Sequence, residues 1–252
     1  MSGHSKWASI KHKKAATDAK RGKAFTKIIK MLTVAAKSEG GDIDANPSLR
    51  LAVQKAKEVN MPQDNIEKAI KRGTGELPGI SYELVSYEGY GPGGVAFLVE
   101  ALTDNKNRII AEVRTIFSKT GGNLAGAGSV SWLFEKKGFF VINKSEVSED
   151  KLMSIILDAG AEDLSQEDDT YEIKSQPADY DNIKKALEKN NIKIESSEVT
   201  MIPKNTVKVA GEQARQVLRL VELLEDNDDI QNVYSNFDIP DEIIKESVKE
   251  GA

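Results

Sequence analysis

Cysteine is absent from the 252-residue chain. Its absence removes disulfides, iron–sulfur clusters, thiolate zinc sites and cysteine nucleophiles together, and fits a reducing compartment. Histidine is nearly absent too: His4 and His12 stand alone in a lysine-rich stretch, with no acidic pair at ligand spacing. Neither a metal centre nor a Ser–His–Asp arrangement is expected from them. No run approaches the roughly 18 consecutive apolar residues of a membrane span, and the N-terminus is charged where a signal peptide is apolar. The expectation is a cytoplasmic protein that is not an enzyme and holds no cofactor. Paired carboxylates occur at Glu167-Asp168-Asp169 and at Asp226 with Asp228-Asp229, but they read as turns and solvated caps.

What the chain does have is a split in charge beneath a net of −5. Residues 1 to 75 carry 16 Lys/Arg against 7 Asp/Glu, a net of +9, so the remainder is at −14. The first 37 residues hold 10 Lys/Arg and a single acid, Asp18. That asymmetry is expected of a phosphate-seeking arm on an acidic body, or of a helical surface that balances the body internally.

Hydropathy patterning divides the chain. Phe25, Ile28, Ile29, Leu32 and Ala36 recur at helical spacing and predict a helix over about 21–38. Lys20, Lys23, Lys27, Lys30 and Lys37 repeat the rhythm on another face as a stripe, and Gly22 separates this helix from an earlier one over about 5–20. Asn46-Pro47 reads as an N-cap with a first-turn proline, opening a helix with Leu49, Ala52, Val53 and Ala56 inward. A further helix follows Pro62, with Ile66, Ala69 and Ile70 inward, and stops at Gly73. After the Gly/Pro-rich linker 73–81, strands at 82–88 and 94–102 flank the turn GYGPGG, the second of them apolar on both faces. Asn105 starts a helix with Ile109, Val113, Ile116 and Phe117 inward. Strands at 129–135 and 138–143 meet at Lys136-Lys137-Gly138, and the order to 202 is the split βαββαβ arrangement. A helix with Ala210, Ala214, Val217, Leu218, Val221 and Leu224 inward and a strand near 230–237 would complete the earlier sheet.

The fold class is therefore α+β, an N-terminal helical domain followed by two α+β domains, ferredoxin-like with a split βαβ unit, one inserted in the other. The expected parts are 1–75, a basic helical domain; 79–135 with 204–240, a discontinuous middle domain; 136–203, the insertion; and 241–252, a polar tail.

Two segments point to nucleic acid. In GHSKWASIKHKK, residues 3–14, Trp7 sits among Lys6, Lys11, His12, Lys13 and Lys14, so a ring face can stack on a base while ammonium groups engage phosphates. The competing role for Trp7 is an apolar plug anchoring the first helix. The loop GGNLAGAGS, 121–129, offers backbone N–H groups at Gly121, Gly122, Asn123, Gly126 and Gly128 that could meet RNA. Neither it nor YGPGG has the strand–loop–helix context of a nucleotide-binding loop, and YGPGG reads as a hairpin turn.

The stretch GHSKWASIKHKKAATDAKRGKAFTKIIK closely resembles the start of the YebC/PmpR family, whose relatives include mitochondrial translational activators. NPSLRLAVQKAKEVNMPQDNIEKAIKRGTGE, YEGYGPGGVA, LTDNKNR and GSVSWLFEKKG extend the resemblance over essentially the whole chain. It implies a three-domain α+β protein that regulates gene expression, either as a DNA-binding transcriptional regulator or as a ribosome-associated factor assisting translation through proline-rich stretches. By that resemblance Lys6, Lys11, His12, Lys13, Lys14, Lys20, Arg21, Lys23 and Lys27 become nucleic-acid contacts, and the stripe adds Lys30. Partners are then DNA, ribosomal RNA or the ribosome, with no membrane. A protein–protein adaptor is the third reading. Against duplex readout stands the dominance of Lys, a point-charge phosphate binder, over the Arg, Asn and Gln that read base edges.

Overall fold

The computed structural model describes residues 18–167 and 169–250, the side chains of 18–21 and 248–250 excepted. Among these residues the chain is α+β, helical first and sheet-containing afterwards.

Three helices open the described chain: α1 (Asp18–Glu39), α2 (Pro47–Glu58) and α3 (Gln63–Thr74). Their core is Ile28, Leu32, Ala35 and Ala36 of α1 against Leu49, Ala52, Val53 and Ala56 of α2 and Ile66 and Ala69 of α3. Asn46 fixes the corner. Its Oδ1 accepts from the Leu49 N–H at 2.8 Å, and its Nδ2 donates to the Ala35 and Gly40 carbonyls at 2.9 and 2.8 Å. One buried side chain thus satisfies the start of α2 and the end of α1 together.

Two glycines depart from the sequence reading. Gly22 lies inside α1, where one helical glycine costs only about 1 kcal/mol and the apolar face outweighs it. Gly73 does not stop α3; Gly75 does, with φ of 84°. Gly73 instead marks where α3 presses on α1: a Cβ there would lie 2.7 Å from the Ala36 Cβ and closer still to the Thr33 carbonyl oxygen.

The first sheet has the order β3-β1-β2-β9 and is antiparallel throughout, built from β1 (Glu83–Tyr90), β2 (Ala96–Thr103), β3 (Asn123–Ala125) and β9 (Ile230–Ser235). YGPGG is the β1–β2 turn, as read from sequence, with Gly93 and Gly94 both at positive φ. One face is covered by α4 (Lys106–Lys119), capped by Asn105, and by α7 (Gly211–Glu225). Phe97 of β2 meets Phe117 of α4 edge to face at 5.8 Å within that core. Ile116 is only partly buried there. The polar tail expected from Asp241 is instead α8 (Asp241–Glu250), whose Ile244 is buried in the same core. A short parallel pair, β8 (Val207–Lys208) with β10 (Phe237–Asp238), closes the edge near it.

The second sheet has the order β5-β6-β4-β7, from β4 (Phe134–Asn143), β5 (Ala161–Gln166), β6 (Thr170–Ser175) and β7 (Ile194–Pro203). With α5 (Glu149–Leu157) after β4 and α6 (Tyr180–Lys189) after β6, this is the βαββαβ unit expected. Its interior is Phe140, Ile142, Leu152, Ile156, Ile173, Ile183 and Leu187. The turn expected at Lys136-Lys137-Gly138 is absent, because β4 runs straight through it, and 131–133 is a 3-10 turn rather than strand. Lys136 is exposed, Lys137 pairs with Glu162 at 2.7 Å, and the strand packs Gly138 against Ser175 and Tyr180, so these residues satisfy a strand without turning. Ala96 and Leu98, on the far face of the first sheet, pack on Val130, Leu133 and Phe134, which ties the two sheets together.

Replacing Gly73 by Ala removes about 0.5–1 kcal/mol of helical glycine cost. It also forces a methyl into a filled helix crossing, worth about 1–3 kcal/mol in the other direction. The expected outcome is a lower melting temperature, and an equal or higher one would contradict the close approach of α1 and α3.

Candidate nucleic-acid interface

The lysine stripe of α1 faces the protein's own acidic turn. Lys23 pairs with Asp226 at 2.9 Å, and the Lys27 ammonium donates to the Glu225 carbonyl at 2.6 Å. Lys30 donates to the Asp228 carbonyl at 2.9 Å and to the Asp229 carboxylate in a short ion pair. Residues 225–229 close the carboxyl end of α7, where the last carbonyls carry the negative end of the helix dipole and attract cations. Lys30 is 6% exposed and Asp229 5%, so this pair is out of water.

Asp229 is satisfied on both oxygens. Besides Lys30, it accepts from Thr103 Oγ1 at 2.8 Å and from the Arg108 guanidinium at 2.6 Å. Burial pushes its carboxyl up, but the hydrogen bonds from Lys30, Arg108 and Thr103 outweigh that and hold it below the usual aspartate value. Three of the residues read as phosphate contacts, Lys23, Lys27 and Lys30, are thus brought together with acids that the sequence reading took for solvated caps. Lys37, further along the stripe, donates to Ser81 at 2.6 Å.

The remaining basic residues stand apart. Lys6, Trp7, Lys11, His12, Lys13 and Lys14 lie outside the described residues. Lys20 and Arg21 belong to α1 by backbone, with side chains outside the description.

The glycine loop also differs from expectation. Asn123–Ala125 is strand β3 on the sheet edge, Gly121 has φ of 80°, and Gly122 is packed on Phe117 and the Tyr90 carbonyl. Gly126 is exposed, but the Gly128 N–H is taken at 2.8 Å by Glu88, a buried carboxylate of β1. Val130 and Ser131 donate to the other Glu88 oxygen at 2.6 and 2.9 Å. The backbone donors expected to be open to RNA at Gly128 are therefore filled by the chain's own anion. Burial raises the Glu88 carboxyl, while the Val130, Gly128 and Ser131 N–H groups lower it further, leaving it below the ordinary glutamate value of 4.5.

That loop displays a residue the sequence reading passed over. Trp132 is 63% exposed although large and apolar, with its indole N–H donating to the Ser129 carbonyl at 3.1 Å. Tyr90 donates to the same carbonyl at 3.0 Å. The available signal was the lone Trp within GSVSW, and its exposure depends on the Glu88 contacts that periodicity does not carry.

Among the described residues no group of three or more His, Cys, Asp or Glu could hold a metal ion. No described helix is long and apolar enough to cross a membrane.

Comparison with known proteins places this architecture. The family described as TACO1/YebC protein N-terminal domain matches residues 5–76, and TACO1/YebC second and third domain matches residues 82–237. The chain belongs to the TACO1/YebC family. Relatives in it include a protein of Desulforapulum autotrophicum, 60% identical over 96% of this chain and 98% of its own. One of Desulfatibacillum aliphaticivorans is 58% identical over 98% of this chain and 100% of its own. Both carry the name probable transcriptional regulatory protein. The crystal structure of a conserved hypothetical protein from Aquifex aeolicus matches with a TM-score of 0.77 at 45% identity, over 89% of this chain and 93% of that one.

Glu88→Gln keeps the shape but leaves one loop N–H facing an amide donor, at a cost of about 1–3 kcal/mol. Hydrogen exchange at Gly128, Val130 and Ser131 should speed up at neutral pH with the sheets intact. Because the folded Glu88 value is depressed, its contribution is complete above about pH 4.5 and lost as pH falls through the folded value. Wild-type protection should fall with acid in that window while the Gln variant stays flat; parallel curves would remove Glu88 as the loop's anchor.

Proposed function

We propose that this protein is a non-enzymatic regulator of gene expression that binds structured nucleic acid, ribosomal RNA foremost, through its basic N-terminal segment in the cytoplasm. The observation that carries this reading is the charge of residues 1–21, six Lys/Arg against Asp18 alone, lying ahead of the lysines that the acidic turn engages. Lys6, Lys11, Lys13, Lys14, Lys20 and Arg21 are its phosphate contacts, and Trp7 with His12 its stacking and hydrogen-bonding groups. The exposed Trp132, bonded to Ser129, which in turn bonds the carbonyl of exposed Gly126, is a second surface suited to a base or a ribose. Three units support the work: 1–75, 79–135 with 204–240, and 136–203, a division supported by the pairing of β9 with β2 across the insertion.

Duplex DNA is the second reading, favoured by the name the relatives carry. A transcription factor must prefer its site by roughly 4–10 kcal/mol, which takes base-edge or shape readout. The exposed cations of α2 and α3 are Lys57, Lys68 and Lys71 with Arg50 and Arg72; Arg50 donates to the Ile43 and Asp44 carbonyls, and Gln54 and Gln63 are hydrogen-bonded to Glu58 and Glu67 on their own helices. Folded RNA asks less, since a fixed phosphate geometry can be matched by charge and shape.

The test compares a random duplex, a candidate promoter and purified ribosomes in one buffer. The expected result is ribosome association at moderate salt and DNA binding with weak sequence preference. Replacing Lys11, Lys13 and Lys14 by Gln should flatten the log K versus log salt slope by about two to three units. A thousandfold promoter preference without ribosome binding would return the reading to transcription, and an unchanged slope would remove these lysines from the interface.

A further inference from the structure

We propose that the acidic turn 225–229 is a built-in phosphate mimic that closes a second phosphodiester-binding face, formed by Lys23, Lys27 and Lys30 on α1, and that nucleic acid opens it by competition. The proposal rests on the nucleic-acid reading above and adds a switch to it.

The geometry is that of a ligand site already occupied. Positions 23, 27 and 30 fall on one side of α1 within about 10 Å along its axis. Each ammonium meets an anionic or carbonyl oxygen of the turn: the Asp226 carboxylate, the Glu225 carbonyl, and the Asp228 carbonyl with the Asp229 carboxylate. Phosphate oxygens offer the same acceptor chemistry to the same ammonium groups. The contacts are graded in exposure. Lys23 and Asp226 are well exposed and salt-screened, whereas Lys30 and Asp229 are buried, so a polyanion can engage the outer pair first and the inner pair only as α1 leaves the turn.

Opening does not strand a buried charge on the body side. Arg108 already pairs with Asp104 at 2.7 Å and with Asp229 at 2.6 Å, and Thr103 donates to Asp229 as well, so the carboxylate has partners other than Lys30. Closure lowers apparent affinity by the fraction of molecules open, so weakening the mimic raises affinity without adding a contact.

The chain's lack of cysteine allows paired labels at Asp64→Cys on α3 and Ser118→Cys on α4 of the full-length protein, both exposed and outside the switch. The probes are a mixed-sequence DNA duplex and an RNA hairpin. Expected results are a longer label-to-label distance when either probe binds, and a longer distance without any probe in Asp226→Asn/Asp229→Asn. That variant should bind at least tenfold tighter. Asp226→Asn alone, which leaves the buried pair intact, should move affinity about twofold to threefold in the same direction, and it decides the matter if the double variant folds poorly. Binding with an unchanged distance, or an Asp226→Asn affinity equal to wild type, overturns the switch while leaving the nucleic-acid reading standing. No binding of either probe by any of these proteins overturns both.

Discussion

The buried carboxylate Asp229 is the centre of the contacts that join the helical part of this protein to the rest, with Asp226 and the Glu225 and Asp228 carbonyls beside it. Its oxygens receive Lys30 from α1, Thr103 from the end of β2 and Arg108 from the first turn of α4, and its own carbonyl accepts from the Leu102 N–H at 2.8 Å. Three stretches of chain distant in sequence, around residue 30, over 102–108 and at 229 itself, therefore meet at a single buried residue. A buried pair of this kind is weak evidence for net stability, because the attraction must repay the desolvation of both ions. What it supplies is discrimination. Moving α1 by one turn would take the Lys30 ammonium off Asp229 Oδ1, so one placement of the helices on the body satisfies both ends of the pair.

Glu88 repeats that logic in the sheet. Its carboxylate gathers the N–H groups of Gly128, Val130 and Ser131, fixing the path of the chain between β3 and β4. Val130 and Leu133 are thereby set against Ala96 and Leu98, which is the contact that joins the two sheets. The same path leaves Trp132 on the outside. An exposed indole held by a rigid loop is a different object from one on a flexible tail, because little conformational freedom remains to be lost when a partner covers it.

Local structure was largely legible in the sequence, and the reason is physical. The inward faces of α2, α4 and α7 and the both-sided burial of β2 are set by side-chain period, except that Ala210, expected inward, is the exposed residue just ahead of α7, and the caps Asn46 and Asn105 are set by residues next to the helices they start. Glycine was the local cue that misled, since Gly22 and Gly73 sit within helices and Gly138 within a strand, each tolerated because packing outweighs propensity. The partners of charged residues were not legible. Lys30 and Asp229 are 199 positions apart, and Glu88 lies 40 to 43 from its donors. Periodicity places a lysine on a face and says nothing of what that face meets.

That limit bears on how charge is used here. A lysine stripe and a glycine loop both read as vacant anion sites, yet in the folded chain carboxylates fill them: Asp226 and Asp229 at Lys23 and Lys30, and Glu88 at the loop. A net of −14 outside residues 1–75 is then more than a shield against nonspecific polyanions, since part of it occupies the places a phosphate would take. The consequence is a division of labour within the basic segment. Cations ahead of Gly22 have no such acids beside them in sequence other than Asp18, whereas those after it are committed to the body in the closed arrangement. On the proposed reading, affinity for a polyanion separates into an encounter made by the first group and a rearrangement required of the second, and only the second depends on how firmly Asp229 holds its three partners.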